Sequence, residues 1–272
     1  MQRLGVVSFL NSRPLIEGLA DDPRVSLMFD VPSRLADRLT AGEVDVALVP
    51  IVDVLRSAGA LQVVSDACIG CDGETMTVRV FSQVPPHRIE TLWVDGDSHT
   101  SIALATVLWR ELFAQAISLR PFDARRQKAV ECDSVLLIGD KVVRSRFNGF
   151  AYEVDLGGAW RSMTGLPFVF AVWAARSGAL SEGATTAVGE LLSAARDRGV
   201  ERGREIAERD GPPRWWPADL AVRYLTHSLR YRLDERYVEG ADRFAALCVQ
   251  AGVAPAGATI RWPAAAGAPR VA

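Results

Sequence analysis

The chain reads as an α/β protein of two lobes, and three observations carry that reading. Apolar runs of strand length alternate with amphipathic helical segments in two successive sets. Each set ends in one long extended run, "TMTVRVFSQVP" (75–85) and "LPFVFAVWAAR" (166–176). After the second run, from 181 to 250, the periodicity is almost wholly helical and no strands are expected. Strand-helix alternation with buried, continuous apolar strands is the pattern of parallel sheets covered by helices.

The first set opens on the β-branched run before "SFLNSRPL" and a short helix over 15–20. A strand "VSLMFD" (25–30) follows. Ser33 can cap a helix over 34–40, Gly42 suits its left-handed C′ position, and "VDVALVP" (44–50) is a buried strand, which completes a βαβ unit. A helix over 52–57, a strand "LQVV" (61–64) and a loop rich in Cys and Gly lead to the first long run.

The second set holds "TLWVD" (91–95), a helix over 100–113, "ISL" (117–119), a helix over 124–130 and "SVLLIGD" (134–140). A helix is expected over 155–163. Spacing of i, i+3, i+4 in "VGELLSAAR" and "DLAVRYLTHSLRYRL" gives helices that return to cover the first set. The Ala/Pro/Gly-rich tail 254–272 lacks periodicity, with one short strand possible at "TIRW".

Two α/β lobes joined by two extended crossings form the layout of a periplasmic-binding-protein-like fold of type II. The division expected is 1–80 with 175–272 as one lobe and 81–174 as the other. In such a body the ligand lies between the lobes, at the carboxyl ends of strands and the amino ends of helices.

Composition narrows the function classes. With 272 residues, 49% hydrophobic and 24% charged, the chain can bury a large core. A net charge of −2 and the lack of a dense Lys/Arg run argue against nucleic acid as a partner. No apolar run reaches about 18 residues, and the opening "MQRLGVVSFL" lacks the pattern of a secretory leader, so the expectation is a cytoplasmic protein without a membrane anchor. Four cysteines, Cys68, Cys71, Cys132 and Cys248, include one C-x-x-C pair. The three histidines, His87, His99 and His227, are scattered, so ordinary thiols are expected rather than a metal site.

The residues able to do chemistry are mostly neutral. Ser8, Asn11 and Ser12 follow the first strand, where Asn offers a donor and an acceptor and the hydroxyls offer rotatable donors. A capping turn with Ser12 as N-cap fits the same letters. In "DGDSHTSIALATVLW", Ser98, Thr100 and Ser101 open an amphipathic helix whose free N–H groups suit a carboxylate or phosphate, and plain capping by Ser98 is equally compatible. Thr77 and Ser82 alternate with apolar residues in the first crossing and can present a hydroxyl to the cleft or bond within the sheet. Asp72, Glu74, Asp140 and Asp155 show no acid and base pairing, which leaves solvated or capping roles for them. His99 is as compatible with a surface position as with proton transfer.

The stretches "SFLNSRPL" (8–15), "GEVDVALVP" (42–50), "DACIGCDGETMTVRVFS" (66–82), "DSHTSIAL" (97–104), "LLIGD" (136–140), "VDLGGAWRSMTGLPFVFAVWAAR" (154–176) and "YRLDERYVEG" (231–240) together resemble the chorismate dehydratases of the futalosine route to menaquinone. The resemblance runs from about 4 to 253. Phe9 stands in the aromatic place of that family's Ser-Tyr-Leu-Asn motif, with Ser8 and Asn11 kept. Met76-Thr77 replaces its Arg-Ser pair, keeping the hydroxyl and losing the base. Ser98, Thr100 and Ser101 match its Ser-x-Thr-Ser motif.

What the resemblance implies is a lyase that removes water from chorismate, a small dicarboxylate, to give 3-[(1-carboxyvinyl)oxy]benzoate without a cofactor. Asn11 would orient the substrate or its leaving hydroxyl, and Thr77 would contact it. Ser8, Ser12, Ser98, Thr100 and Ser101 would bind it. The competing readings are the sister dihydroxynaphthoate synthase, whose amino-terminal motif differs, a small-carboxylate binding protein and a ligand-sensing domain.

Overall fold

In the computed structural model, which describes residues 1–123, 126, 128–144 and 149–263, the strands collect into two sheets. The first contains β1 (Gln2–Val7), β2 (Val25–Asp30), β3 (Val46–Pro50), β4 (Leu61–Cys71), β10 (Phe168–Arg176) and β11 (Arg230–Arg232), in the order β11-β4-β10-β3-β1-β2. The second contains β5 (Val78–Ser82), β6 (Thr91–Val94), β7 (Ser118–Pro121), β8 (Ser134–Ile138) and β9 (Tyr152–Asp155), in the order β7-β6-β8-β5-β9.

Strands β2, β1 and β3 run parallel, as do β7, β6 and β8, in keeping with helical crossovers between them. The two long runs reverse direction: β10 is antiparallel to β3 and β4, and β5 is antiparallel to β8 and β9. Each is bonded wholly within one sheet. The passages between sheets therefore fall between residues 71 and 78 and between 155 and 168, ahead of the expected divisions at 80/81 and 174/175.

Continuous apolar strands are buried on both faces. Val46, Ala47, Leu48 and Val49 in β3 and Val172, Trp173 and Ala174 in β10 are all fully inaccessible. Truncating a residue such as Trp173 would cost about 3–5 kcal/mol, since the cavity could not collapse between two layers. One apolar core runs through both sheets and includes Leu104, Leu108 and Trp109 of α3 (His99–Phe113); a smaller one gathers around Phe81 and Val135.

The remaining helices are α1 (Pro32–Thr40), α2 (Ile51–Arg56), α4 (Asp140–Arg144), α5 (Leu156–Thr164), α6 (Glu182–Glu201), α7 (Gly203–Asp210), α8 (Ala218–Arg223) and α9 (Glu235–Gln250). Helix α6 packs on β4 and α9 on β10, so the carboxyl-terminal helices do return to the first sheet. None of the helices among the described residues is long and apolar enough to cross a membrane.

Several local expectations need correction. Helix α1 starts at Pro32, a residue favoured in the first turn, so Ser33 lies inside the helix instead of capping it. The helix expected over 15–20 is instead a 3₁₀ segment, Leu10–Ile16. The presumed Cys/Gly loop is the second half of β4. Gly70 is needed there because a Cβ would lie 2.8 Å from the Phe168 carbonyl oxygen and from the Tyr237 ring.

The run "DLAVRYLTHSLRYRL" is not one helix. It breaks at a π-helical turn, Tyr224–Ser228, and then supplies the edge strand β11, so strands do not end at 181. "TIRW" forms no strand and contributes one backbone bond, from Val63 N–H to the Arg261 oxygen. The helix expected over 124–130 and the end of the tail, 264–272, lie partly or wholly outside the described residues.

Candidate functional site

Strand β1 delivers the amino-terminal motif to the gap between the sheets. The chain turns sharply after Val7, and the Ser12 hydroxyl holds the turn by donating to the carbonyls of Val7 (2.5 Å) and Phe9 (3.0 Å). Ser12 is fully buried and its hydroxyl is used up by the backbone. The turn is wedged against α6, where a Cβ at Gly199 would fall 1.8 Å from the Pro14 oxygen. Asn11 is thereby placed on the wall of the cleft, with its Oδ1 buried and without a partner. Ser8 bonds the Asp30 carbonyl through its backbone N–H and lies off that wall.

The passage from β4 to β5 supplies another part of the cleft wall. Asp155 caps α5 by accepting from Gly157 and Gly158 N–H, and it also accepts from the N–H groups of Thr75 (2.9 Å) and Met76 (2.8 Å). This clamp holds Met76 at φ 66, a left-handed conformation that costs a non-glycine residue about 1–2 kcal/mol. Thr75 Oγ1 accepts from Thr77 N–H (3.2 Å) and Val78 N–H (2.9 Å). Thr77 then faces the cleft, its Oγ1 2.7 Å from the phenol oxygen of Tyr224.

Tyr224 is buried and stacks on Trp216, with ring centroids 4.7 Å apart and planes 16° from parallel. Burial pushes the phenol well above its ordinary pKa, while side-chain hydrogen bonds to Thr77 and Asn11 pull the other way. The indole of Trp216 donates to Asp140 Oδ1 at 2.9 Å, and Leu10 N–H reaches the same oxygen at 3.3 Å. Asp140 is thus a buried acceptor between the sheets and not the solvated or capping group expected. Beside it Gly139 adopts φ +62 against the Phe9 ring, where a Cβ would come within 2.8 Å.

Helix α3 brings the third group. Ser98 is its N-cap: the side chain accepts from Ser101 N–H at 3.4 Å, and the two hydroxyls lie 3.0 Å apart. Both line the cleft. Thr100 points elsewhere, its Oγ1 accepting from Val52 N–H at the start of α2 (3.3 Å). His99 Nδ1 lies 2.9 Å from Asp53 of α2, and that partner raises the imidazole pKa despite burial.

Four of the expected residues, Asn11, Thr77, Ser98 and Ser101, therefore line one cleft. Ser8, Ser12 and Thr100 support it from outside. Ser82, considered with Thr77, bonds the Val84 carbonyl (2.8 Å) just past the end of its own strand. Tyr224 and Thr75 also line the cleft and were missed; a Tyr inside a helical-looking run carries no signal that a π turn will aim it inward. Phe9, Ile69, Ile138 and Phe170 form apolar walls, and no described lining residue is charged.

All four cysteines are free and buried. Burial pushes the Cys248 thiol up to about 12 and raises Cys68 and Cys71 as well, which leaves no thiolate at neutral pH. Among the described residues no three His, Cys, Asp or Glu side chains gather as metal ligands would.

The chain matches the family described as "Menaquinone biosynthesis" over residues 2–250. A chorismate dehydratase of Thermus thermophilus is 29% identical over 268 residues, covering 89% of this chain and 93% of the relative. Among solved structures, a protein of Archaeoglobus fulgidus superposes with a TM-score of 0.73 at 15% identity, covering 93% of this chain and 98% of its own. The periplasmic aliphatic sulphonate binding protein of Escherichia coli superposes at 0.63 and 12% identity, with 94% of each chain covered, which places this fold among the periplasmic-binding-protein-like folds. The chain belongs to the menaquinone biosynthesis family.

Proposed function

We propose that this member of the menaquinone biosynthesis family is a chorismate dehydratase: a cytoplasmic, cofactor-independent lyase that removes water from chorismate to give 3-[(1-carboxyvinyl)oxy]benzoate in the futalosine pathway. The observation that carries the reading is the meeting of Asn11, Thr77, Ser98 and Ser101 on one cleft lined by uncharged groups. The similarity to the Thermus thermophilus chorismate dehydratase supplies the substrate. Four free cysteines suit a reducing compartment.

The chemistry follows from the lining. Loss of the ring proton beside the enolpyruvyl ether is vinylogous to the ring carboxylate, so negative charge moves onto that carboxylate as the C–H bond breaks. Preorganised donors stabilise it there, and the start of α3 with the Ser98 and Ser101 hydroxyls is the group placed to do so. Breaking the neighbouring C–O bond then releases the hydroxyl, which leaves with the proton as water, and the ring becomes aromatic.

The described lining holds no carboxylate, imidazole or amine that could act as base. The substrate's own enolpyruvyl carboxylate takes the proton, with the protein supplying orientation and exclusion of water. Incubating the purified chain with chorismate alone tests the reading. Loss of the cyclohexadiene absorbance, with an aromatic product lighter by one water, is expected. Binding without turnover would overturn it in favour of a small-carboxylate binding protein.

A further inference from the structure

Both passages between the sheets are gripped by one carboxylate. Asp155 ends β9 and opens the second passage, and its side chain reaches back to the first. Its two oxygens divide the work. Oδ1 accepts from Gly157 N–H (3.0 Å) and Gly158 N–H (3.1 Å) at the start of α5, and from Thr75 N–H (2.9 Å). Oδ2 accepts from Met76 N–H (2.8 Å) and from the Thr75 hydroxyl (3.4 Å), with Arg79 Nε 3.4 Å away. The side chain is 8% exposed, so these donors have little water to turn to in its place. The start of α5 is pressed on the same segment: a Cβ at Gly157 would lie 2.4 Å from the Thr75 methyl and 2.6 Å from the Gly73 carbonyl oxygen.

The grip is passed on to the cleft. Thr75 Oγ1, while donating to Asp155, accepts from Thr77 N–H and Val78 N–H, which fixes the backbone that carries the Thr77 side chain. Thr75, Thr77 and Val78 line the cleft, and Asp155 is not among the described lining residues. Between them Met76 is held at φ 66, a conformation that a residue with a Cβ keeps where its surroundings impose it. The bond from Met76 N–H to Asp155 Oδ2 does so. The Met76 side chain accepts from Ser228 Oγ (2.9 Å) and does not line the cleft.

We propose that Asp155 is a positioning residue for the cleft: Oδ1 caps α5, while Oδ2 locks Met76 in its left-handed conformation and, through Thr75, sets where Thr77 stands. A strained backbone held by a carboxylate from another strand is a means of preorganisation, because Thr77 then meets the ligand already in place. This deepens the dehydration reading and rests on it, since Thr77 is taken there as one of the groups that meet chorismate.

The test is Asp155→Asn. With Oδ1 kept in place by Gly157, Gly158 and Thr75, the new amide NH2 faces Met76 N–H, and donor cannot pair with donor. Turnover of chorismate should fall about 10-fold to 100-fold while KM stays within a factor of about three, as expected of a misplaced wall. Adding Met76→Gly should restore turnover to within about threefold of the Met76→Gly chain alone, because glycine takes positive φ without support. Glycine does not restore the charge beside Arg79, so a rescue assigns the loss to the backbone at 76. Amide hydrogen exchange reads the same clamp without turnover. Thr77 and Val78 N–H should exchange about tenfold faster in Asp155→Asn and slow again in the double variant.

Wild-type turnover in Asp155→Asn overturns the proposal, as does a loss seen in KM alone. A double variant no faster than Asp155→Asn, or unchanged exchange at Thr77 and Val78, overturns it as well. An Asp155→Asn chain that does not fold does so too, since the carboxylate would then serve the fold. A wild-type chain inert toward chorismate overturns the dehydration reading and not the clamp, on which the exchange measurement still decides.

Discussion

Asp140, at the end of the second sheet, accepts the Trp216 indole N–H at 2.9 Å, and Leu10 of the amino-terminal turn donates its backbone N–H to the same oxygen. One buried carboxylate thus ties three distant segments around the cleft. Asp140→Ala would leave two buried donors unpaired and should destabilise the fold by roughly 2–3 kcal/mol. Urea unfolding measures that loss, and the variant should lose turnover along with it.

Asn11→Ala removes the unpaired acceptor without opening the core, since Asn11 is only half buried. The expected result is a fall in kcat on the order of 10²-fold with near-normal chorismate binding. Steady-state kinetics with a binding isotherm on the same preparation checks it. Wild-type turnover in the variant would refute the role of Asn11.

Ser98 and Thr100 lie two residues apart, but one faces the cleft and the other faces α2. Ser98→Ala should raise KM on the order of tenfold, and it should also cost about 1 kcal/mol of stability through loss of the cap. Thr100→Val strips an acceptor from Val52 N–H and should cost about 1–2 kcal/mol while leaving KM unchanged. Comparing KM with thermal stability across the two variants separates the roles.

His99 and Asp53 join α3 to α2 beside the site. The hydrogen bond to Asp53 raises the folded-state pKa of His99 above its unfolded value. The pair's contribution to stability is therefore fully present below the unfolded pKa, near 6.5, and is lost as pH rises through the folded value. The imidazole is partly exposed, so the effect is modest. Asp53→Asn should flatten this part of the stability profile and move the His99 NMR titration to lower pH.

The legible parts of the fold were those with a strong local cause. Continuous apolar runs gave β3 and β10, and Gly42 stopped α1 at φ +76. Asp155 was legible as a cap but not as a clamp, because its bonds to Thr75 and Met76 cross about eighty residues of chain. Gly70 read as a loop residue, although it serves an eleven-residue strand that must let Tyr237 come close.

By itself the sequence determined the two α/β sets and the neutral character of the candidate residues, because periodicity and turn chemistry act over a few residues. Only the tertiary structure decided which hydroxyls face the cleft. Ser12 and Thr100 have the same donors and acceptors as Ser98 and Ser101, but backbone groups brought in from the 3₁₀ turn and from α2 occupy them. It also put the Tyr224 phenol against Thr77, 147 positions away along the chain. Hydrogen-bond vacancy depends on which partners the packed chain brings within 3 Å or so, and that is a property of the assembled core.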